Sequence, residues 1–324
     1  CIDTQKVHIS SAIASGYKYM LIVTSDEAKA RKMCDDASFF NKEAIYYPAK
    51  DAIFYSADVH GNQITGERLR CISRIINHSS TGEGVLTVVT TMDGIADRLI
   101  PVERFKEAVI TLDYSSEIEP EKLAKKLVAM GFVRTGMVED KGQFAIRGGI
   151  IDIFSYTDEA PVRIELWDTE VDSIRMFDVE SQRSIERLQS YSIFPATEYI
   201  FTEDELKNGL YNIKEECDRQ LECFDYGKRK RTKEQIEAGN NLNKLVADVE
   251  RTGNYEKFTD TLVADTVGLA EYFPEENTLV VLDEPNRLKE CNELTLYEYN
   301  ESMKNRLAAG YVLPSQTNKV KAMN

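Results

Sequence analysis

The chain has 324 residues, 42% hydrophobic and 29% charged, enough for two or three cored domains and incompatible with wholesale disorder or a fibrous repeat. Forty Lys and Arg stand against 55 Asp and Glu, with three His, for a formal net charge of −15. Such a surface repels a phosphate backbone and confines any nucleic-acid contact to a local patch. No apolar run approaches the roughly 20 residues of a membrane span, and the N-terminus has no secretory signal. The six Cys lack a CxxC pair and read as reduced thiols, so a cytoplasmic protein with no membrane partner is expected.

In chain order, Tyr19 to Thr24 is a continuous apolar run, the mark of a strand buried on both faces of a parallel sheet. Ser25 offers an N-cap, with Asp26 and Glu27 in the first turn of a helix that runs to about Phe40. Ala44 to Tyr47 reads as a second strand, Gly66 to Asn77 as a helix, Val85 to Thr90 as a third strand, and Asp93 as the opening of a short helix. This alternation predicts a doubly wound α/β layer.

Near Asp113 the rhythm changes. Pro120 starts a helix that Gly131 stops. Short alternating strands follow at Gly142 to Arg147, Gly149 to Phe154, Val162 to Trp167, Val171 to Phe177 and Arg187 to Phe194, with Asp168-Thr169-Glu170 as a tight hairpin connection. Pro195 closes this small α+β insertion. Asp204 to Phe224 and Lys233 to Arg251 predict two long helices joined by a basic loop. Thr278 to Asp283 predicts a buried parallel strand returning to the first sheet, and a last helix runs from about Glu293 to Ala309. The domain organisation is thus a first half at 1–112, an insertion at 113–195 and a helical return at 196–324.

Leu279 to Glu284 has the shape of a Walker B element, in which a strand-end carboxylate holds Mg²⁺; Asp283 and Glu284 are its acidic pair. The partner motif G-x-x-x-x-G-K-[ST] is absent from the sequence, and Gly61 to Gly66 imitates it only until Glu67-Arg68, where a loop leading into a helix is the simpler reading. In the insertion, period-two alternation turns Val162, Ile164 and Leu166 to the core and groups Arg163, Glu165 and Trp167 on the other face; Arg147 is exposed by the same logic. An Arg/Glu/Trp face suits a charged protein partner, and equally a solvated sheet surface. Lys228-Arg229-Lys230-Arg231 is the one dense basic run, a non-specific phosphate-backbone contact or a solvated loop. His8, His60 and His78 have no metal spacing, and no catalytic triad or carboxylate dyad is present.

The run Gly142 to Phe154, with Val162 to Asp168 and Ile174 to Asp178, resembles the signature of UvrB-like modules. Gly66-Glu67-Arg68-Leu69-Arg70, Leu282 to Leu288 and Gly310 to Pro314 are similar to the transcription-repair coupling factor family. Two departures separate the chain from UvrB: Asp3, Gln5, Lys6 and His8 stand where a working P-loop would lead in, and Tyr46 to Tyr55 is too short for a damage-probing hairpin. The resemblance implies the N-terminal, UvrB-homology region of a coupling factor: a degenerate helicase-like, P-loop-type parallel-sheet domain split by the insertion. It implies no enzyme activity and no cofactor for this region, with ATP and Mg²⁺ used by motor domains elsewhere in the parent. It further implies recruitment of UvrA in nucleotide excision repair, masking by the parent's C-terminal domain, and RNA polymerase and DNA engaged through other domains. Family contact positions fall on Arg134, Arg147, Arg163 and Glu165, with Phe154 and Trp167 in support; Ala145 replaces a further contacting Arg. Two other readings stay open: a fragment of an active UvrB-type ATPase, and a DNA-holding module using the basic run.

Overall fold

A computed structural model describes residues 3–41, 43–50, 58–225, 230–263 and 265–318. The chain opens with α1 (Asp3–Ala14), β1 (Tyr19–Thr24), α2 (Glu27–Ser38), β2 (Glu43–Tyr47) and α3 (Asp58–Thr81). It continues through β3 (Leu86–Thr91), α4 (Met92–Ala96), α5 (Val102–Ala108), β4 (Ile110–Asp113) and α6 (Pro120–Ala129). Then come β5 (Val133–Arg134), β6 (Gln143–Arg147), β7 (Ile150–Phe154), β8 (Val162–Trp167), β9 (Glu170–Phe177), β10 (Ser184–Arg187) and β11 (Ser190–Ile193). The remainder holds α7 (Glu203–Asp225), α8 (Lys233–Thr252), α9 (Thr259–Leu262), β12 (Thr278–Leu282) and α10 (Pro285–Ala308). These elements form two compact units, one of residues 1–57, 84–100 and 201–324 and the other of 58–83 and 101–200. The fold is mixed α/β, with a parallel sheet in the first unit and separate sheets in the second.

The first unit carries a four-stranded parallel sheet in the order β12-β1-β3-β2. Every residue of β1 and β3 is buried, as their unbroken apolar runs require. Val7 and Ala14 of α1 and Ala30, Met33 and Ala37 of α2 pack with Met20, Ile22 and Val89 in one core cluster. The N-cap of α2 is Asp26, not Ser25: its carboxylate accepts from the Lys29 amide at 2.9 Å. β12 does return beside β1, but as an edge strand, so Val280 and Leu282 stay about half exposed and the expected two-sided burial is absent. The last helix begins at Pro285 rather than near Glu293, because proline at the first turn sacrifices no helical hydrogen bond.

In the second unit a six-stranded sheet runs β10-β9-β8-β7-β6-β5, antiparallel except for the short β5–β6 pair. The expected single strand Arg187 to Phe194 is split: β10 pairs with β9, whereas β11 pairs with β4 in a separate two-stranded ribbon. The reason is burial, since β10 is exposed throughout while Tyr191 and Ile193 enter the core. That core gathers Leu123, Ala124 and Leu127 of α6 over Phe144, Ile151, Ile153, Val162, Ile164 and Ile174 of the sheet. The β6–β7 loop is Gly148-Gly149, and only Gly148 has positive φ, the pattern of a type II′ hairpin turn.

The stretch Gly61 to Gly66, expected as a loop, lies within α3, a helix of 24 residues. Two residues on, Arg68 sends Nε and a terminal nitrogen to the two oxygens of Glu198 at 2.8 and 2.9 Å, with both side chains at most 1% exposed. This bidentate pair ties α3 to the segment that leaves β11. Arg68→Met removes the bidentate partner of a buried carboxylate and is expected to cost about 3–5 kcal/mol in chemical denaturation, whereas Arg68→Met/Glu198→Leu loses less because the carboxylate is removed with it.

Candidate functional site

Side chains on β6 to β10 alternate between the core of the second unit and the opposite face of its sheet. Strand register builds that opposite face row by row. One row runs Ala145, Asp152, Arg163, Arg175 and Arg187; the next holds Arg147, Ile150, Glu165 and Ser173. The expected grouping of Arg147, Arg163 and Glu165 therefore stands, and at its centre is a residue that sequence reasoning left out, Asp152.

The Asp152 side chain is 1% exposed, and its carboxylate accepts from Arg163 through Nε at 2.7 Å and a terminal nitrogen at 2.9 Å. Arg147 reaches the same carboxylate at 2.5 Å from a side chain that is 42% exposed. Arg163 also donates to Gln182 Oε1 at 2.8 Å, and its guanidinium lies 4.3 Å from the centroid of the Phe177 ring. Burial favours the neutral Arg163, yet its hydrogen bonds to Asp152 prevail and raise its pKa above the ordinary value. Next in the lattice, Glu165 accepts from Ser173 Oγ at 2.7 Å and pairs with Arg175. Three guanidinium groups thus share two carboxylates, which leaves the cluster with net positive charge and with Arg147 projecting from it.

The other predicted positions are placed differently. Trp167 is 79% exposed at the end of β8, where it pairs with Glu170 across a two-residue turn opened by Asp168 at φ +59°. Phe154 lies on the same face of β7 as Asp152 but is buried there in a small cluster with Val138 and Ala145, so it presents little surface. Arg134 is in register with Phe144, a core residue, and pairs with Glu121 of α6 at 3.4 Å, apart from the Asp152 group. Of the basic run, Lys228 and Arg229 lie outside the described residues; Lys230 is exposed, and Arg231 donates to the Leu221 carbonyl at 3.3 Å. The part of the Tyr46 to Tyr55 stretch beyond Lys50 also lies outside the described residues.

In the first unit, Asp283 is buried at the end of β12 and its carboxylate is held by two ammonium groups, Lys6 of α1 at 2.8 Å and Lys29 of α2. Glu284 faces the same lysines at 3.6 and 3.3 Å, and Arg287 lies 3.7 Å from Glu284 and 3.9 Å from Asp26. Burial alone would raise the Asp283 pKa, but the hydrogen bonds from Lys29 and Lys6 outweigh it and lower it. Among the described residues no group of three or more His, Cys, Asp or Glu has the arrangement to hold a metal ion. Cys34, Cys71 and Cys217 are buried free thiols, and burial pushes Cys34 up to about 11. No helix among the described residues is long and apolar enough to cross a membrane.

The charged face lies wholly inside a segment that known proteins share. Residues 110–199 match the family model for the UvrB interaction domain. This segment is similar to the UvrB interaction domain. Nearly the whole chain is also similar to the transcription-repair-coupling factor of Bacillus subtilis strain 168, at 34% identity over 322 residues, 96% of this chain and 26% of the relative. The factor of Staphylococcus aureus strain Mu50 is 30% identical over 304 residues, and that of Staphylococcus epidermidis strain ATCC 35984 is 31% identical over 304 residues; each match covers 93% of this chain and 25% of the relative. The chain spans about a quarter of the length of these relatives. The likeness to transcription-repair-coupling factors expected from the motifs is therefore borne out.

Two measurements follow from this geometry. Asp152→Asn removes the carboxylate that Arg147 and Arg163 share and leaves Glu165 alone among three guanidinium groups, and is expected to destabilise the domain by about 3–5 kcal/mol in urea titration. A depressed carboxyl pKa contributes stability that is complete above the unfolded value and is lost as pH falls through the folded one. The wild-type melting temperature should therefore drop more steeply on acidification below about pH 4 than that of Asp283→Asn.

Proposed function

We propose that this chain is a non-catalytic recruiting module that binds UvrA through the Asp152-centred face of its UvrB interaction domain. The observation that carries the reading is the organised charge of that face. Arg147, Arg163 and Arg175 are held in fixed geometry by Asp152 and Glu165, and Trp167 is exposed at the end of β8, the strand that carries Arg163 and Glu165. Preorganised guanidinium groups have already lost their rotamer freedom, so a partner carboxylate meets them at low entropic cost. An exposed Trp next to such groups has the composition of an interface hot spot. Arg134, which stands apart from the cluster, would contact the same partner only if that partner wraps the β5 edge.

The same reading assigns the chain to the UvrB-homology region of a coupling factor, with a degenerate helicase-like parallel-sheet domain alongside the insertion. Stalled RNA polymerase, DNA, ATP and a masking C-terminal domain would be engaged by the rest of a longer protein. The alternative of a DNA-holding module has weaker support, because Arg231 is already committed to the Leu221 carbonyl.

Arg163→Glu places a second acid against Asp152 and reverses the charge offered to a partner. Titration calorimetry against purified UvrA should show at least about a 30-fold loss of affinity, the scale of one desolvated charge pair worth 2–5 kcal/mol. Trp167→Ala, at a side chain that is 79% exposed, should weaken binding with little change in melting temperature. Wild-type affinity in both variants, each folded by circular dichroism, would overturn the reading.

A further inference from the structure

A strand that ends in Asp-Glu in a P-loop-type fold implies a divalent cation bound at the acid pair, beneath the phosphates of a nucleotide. The residues around Asp283 and Glu284 do not fit that group. Asp283 has both carboxylate oxygens engaged, one by the Lys6 ammonium and one by the Lys29 ammonium. The Asp283 side chain is only 2% exposed, and the lysines that cover it are themselves only 27% and 13% exposed. The backbone supports this closure, since the Asp283 amide donates to the Val23 carbonyl of β1 at 2.9 Å, fixing the acid at the sheet end. Glu284 then takes φ +55°, a left-handed conformation that costs a non-glycine residue energy and persists only where its surroundings demand it. In that conformation its carboxylate faces Lys6, Lys29 and Arg287 together. Counting Asp26, three basic and three acidic side chains meet, and no net negative charge is left to attract a cation.

We propose that Lys6 and Lys29 replace the divalent cation at this strand end, making Asp283-Glu284 a closed ionic clasp that joins α1, α2 and the β12–α10 junction and excludes Mg²⁺ and Mg-nucleotide. The clasp acts on the metal's own ligands rather than on any phosphate contact. It also accounts for an acidic pair being present in a chain with no use for a metal: the pair anchors two helices to the sheet. The inference concerns the first unit alone and stands whether or not the charged face of the second unit binds UvrA.

The test sets cation and lysines against each other in the intact 324-residue chain. With wild type, millimolar MnCl₂ or Mg-ATP should leave the melting temperature unchanged, and the Mn²⁺ electron paramagnetic resonance signal should remain that of the free ion. In Lys6→Met/Lys29→Met the chain should melt at lower temperature, bind Mn²⁺ and recover part of the loss when Mn²⁺ is added. Adding Asp283→Asn should abolish the recovery. Mn²⁺ or Mg-ATP binding by wild type that Asp283→Asn removes would overturn the proposal, as would a doubly substituted chain that is neither destabilised nor responsive to Mn²⁺. Should that chain fail to fold, the pair Lys29→Met and Lys29→Met/Asp283→Asn decides. The clasp requires the second to lose less stability than the sum of the Lys29→Met and Asp283→Asn losses, because the oxygen that Lys29 paired is gone with its partner, and additive losses would refute it.

Discussion

An ionised carboxylate stripped of water must be neutralised and hydrogen-bonded on every lone pair, and Asp152 imposes that demand on the centre of the six-stranded sheet. Two arginines answer it, from the neighbouring strand and from the hairpin end of β6, and once they are committed their guanidinium planes are no longer free to rotate. Phe177 and Gln182 then fill in around Arg163, and the Glu165–Arg175 pair extends the lattice by one row. The charged face is therefore a single ordered surface, and its order comes from one buried acid rather than from the exposed residues themselves.

The two units use buried charge in different ways. In the second, Arg68 and Glu198 form a pair closed to solvent on both sides, a purely structural tie between α3 and the segment after β11. Around Asp152 the acid is buried but one of its arginines remains open to solvent, so the same electrostatic requirement leaves a group available to a partner. In the first unit, Lys6 and Lys29 close over Asp283, and the acid pair is spent on anchoring helices. Burial of the acid is common to all three; what differs is the exposure of the base.

A chain with net charge −15 gains a positive patch only by concentrating arginines locally, and the face of the UvrB interaction domain does so with three of them around two acids. That suits recognition of protein carboxylates better than tracking of a phosphate backbone, which rewards a long cationic stripe. The relatives are about four times as long as this chain.

Much of this was legible in the residues. Unbroken apolar runs mark β1 and β3, and period-two alternation sorts Ile164 from Arg163 and Glu165, because side-chain direction in a strand is dictated by local backbone geometry alone. Pro120 and Gly131 bound α6 for equally local reasons. What local pattern could not supply was register. Asp152 alternates outward from Ile151 and Ile153, yet only the pairing of β7 with β8 puts it opposite Arg163, and only the β8–β9 pairing brings Arg175 near Glu165. Likewise Asp283 looked like a metal ligand until tertiary packing delivered Lys6 and Lys29, 277 and 254 positions earlier in the chain, to its two oxygens. Sequence by itself determined most elements, the faces and the likeness to coupling factors; the partners of each buried charge were decided by tertiary structure, because they come from strands and helices that are remote along the chain and adjacent only once it is folded.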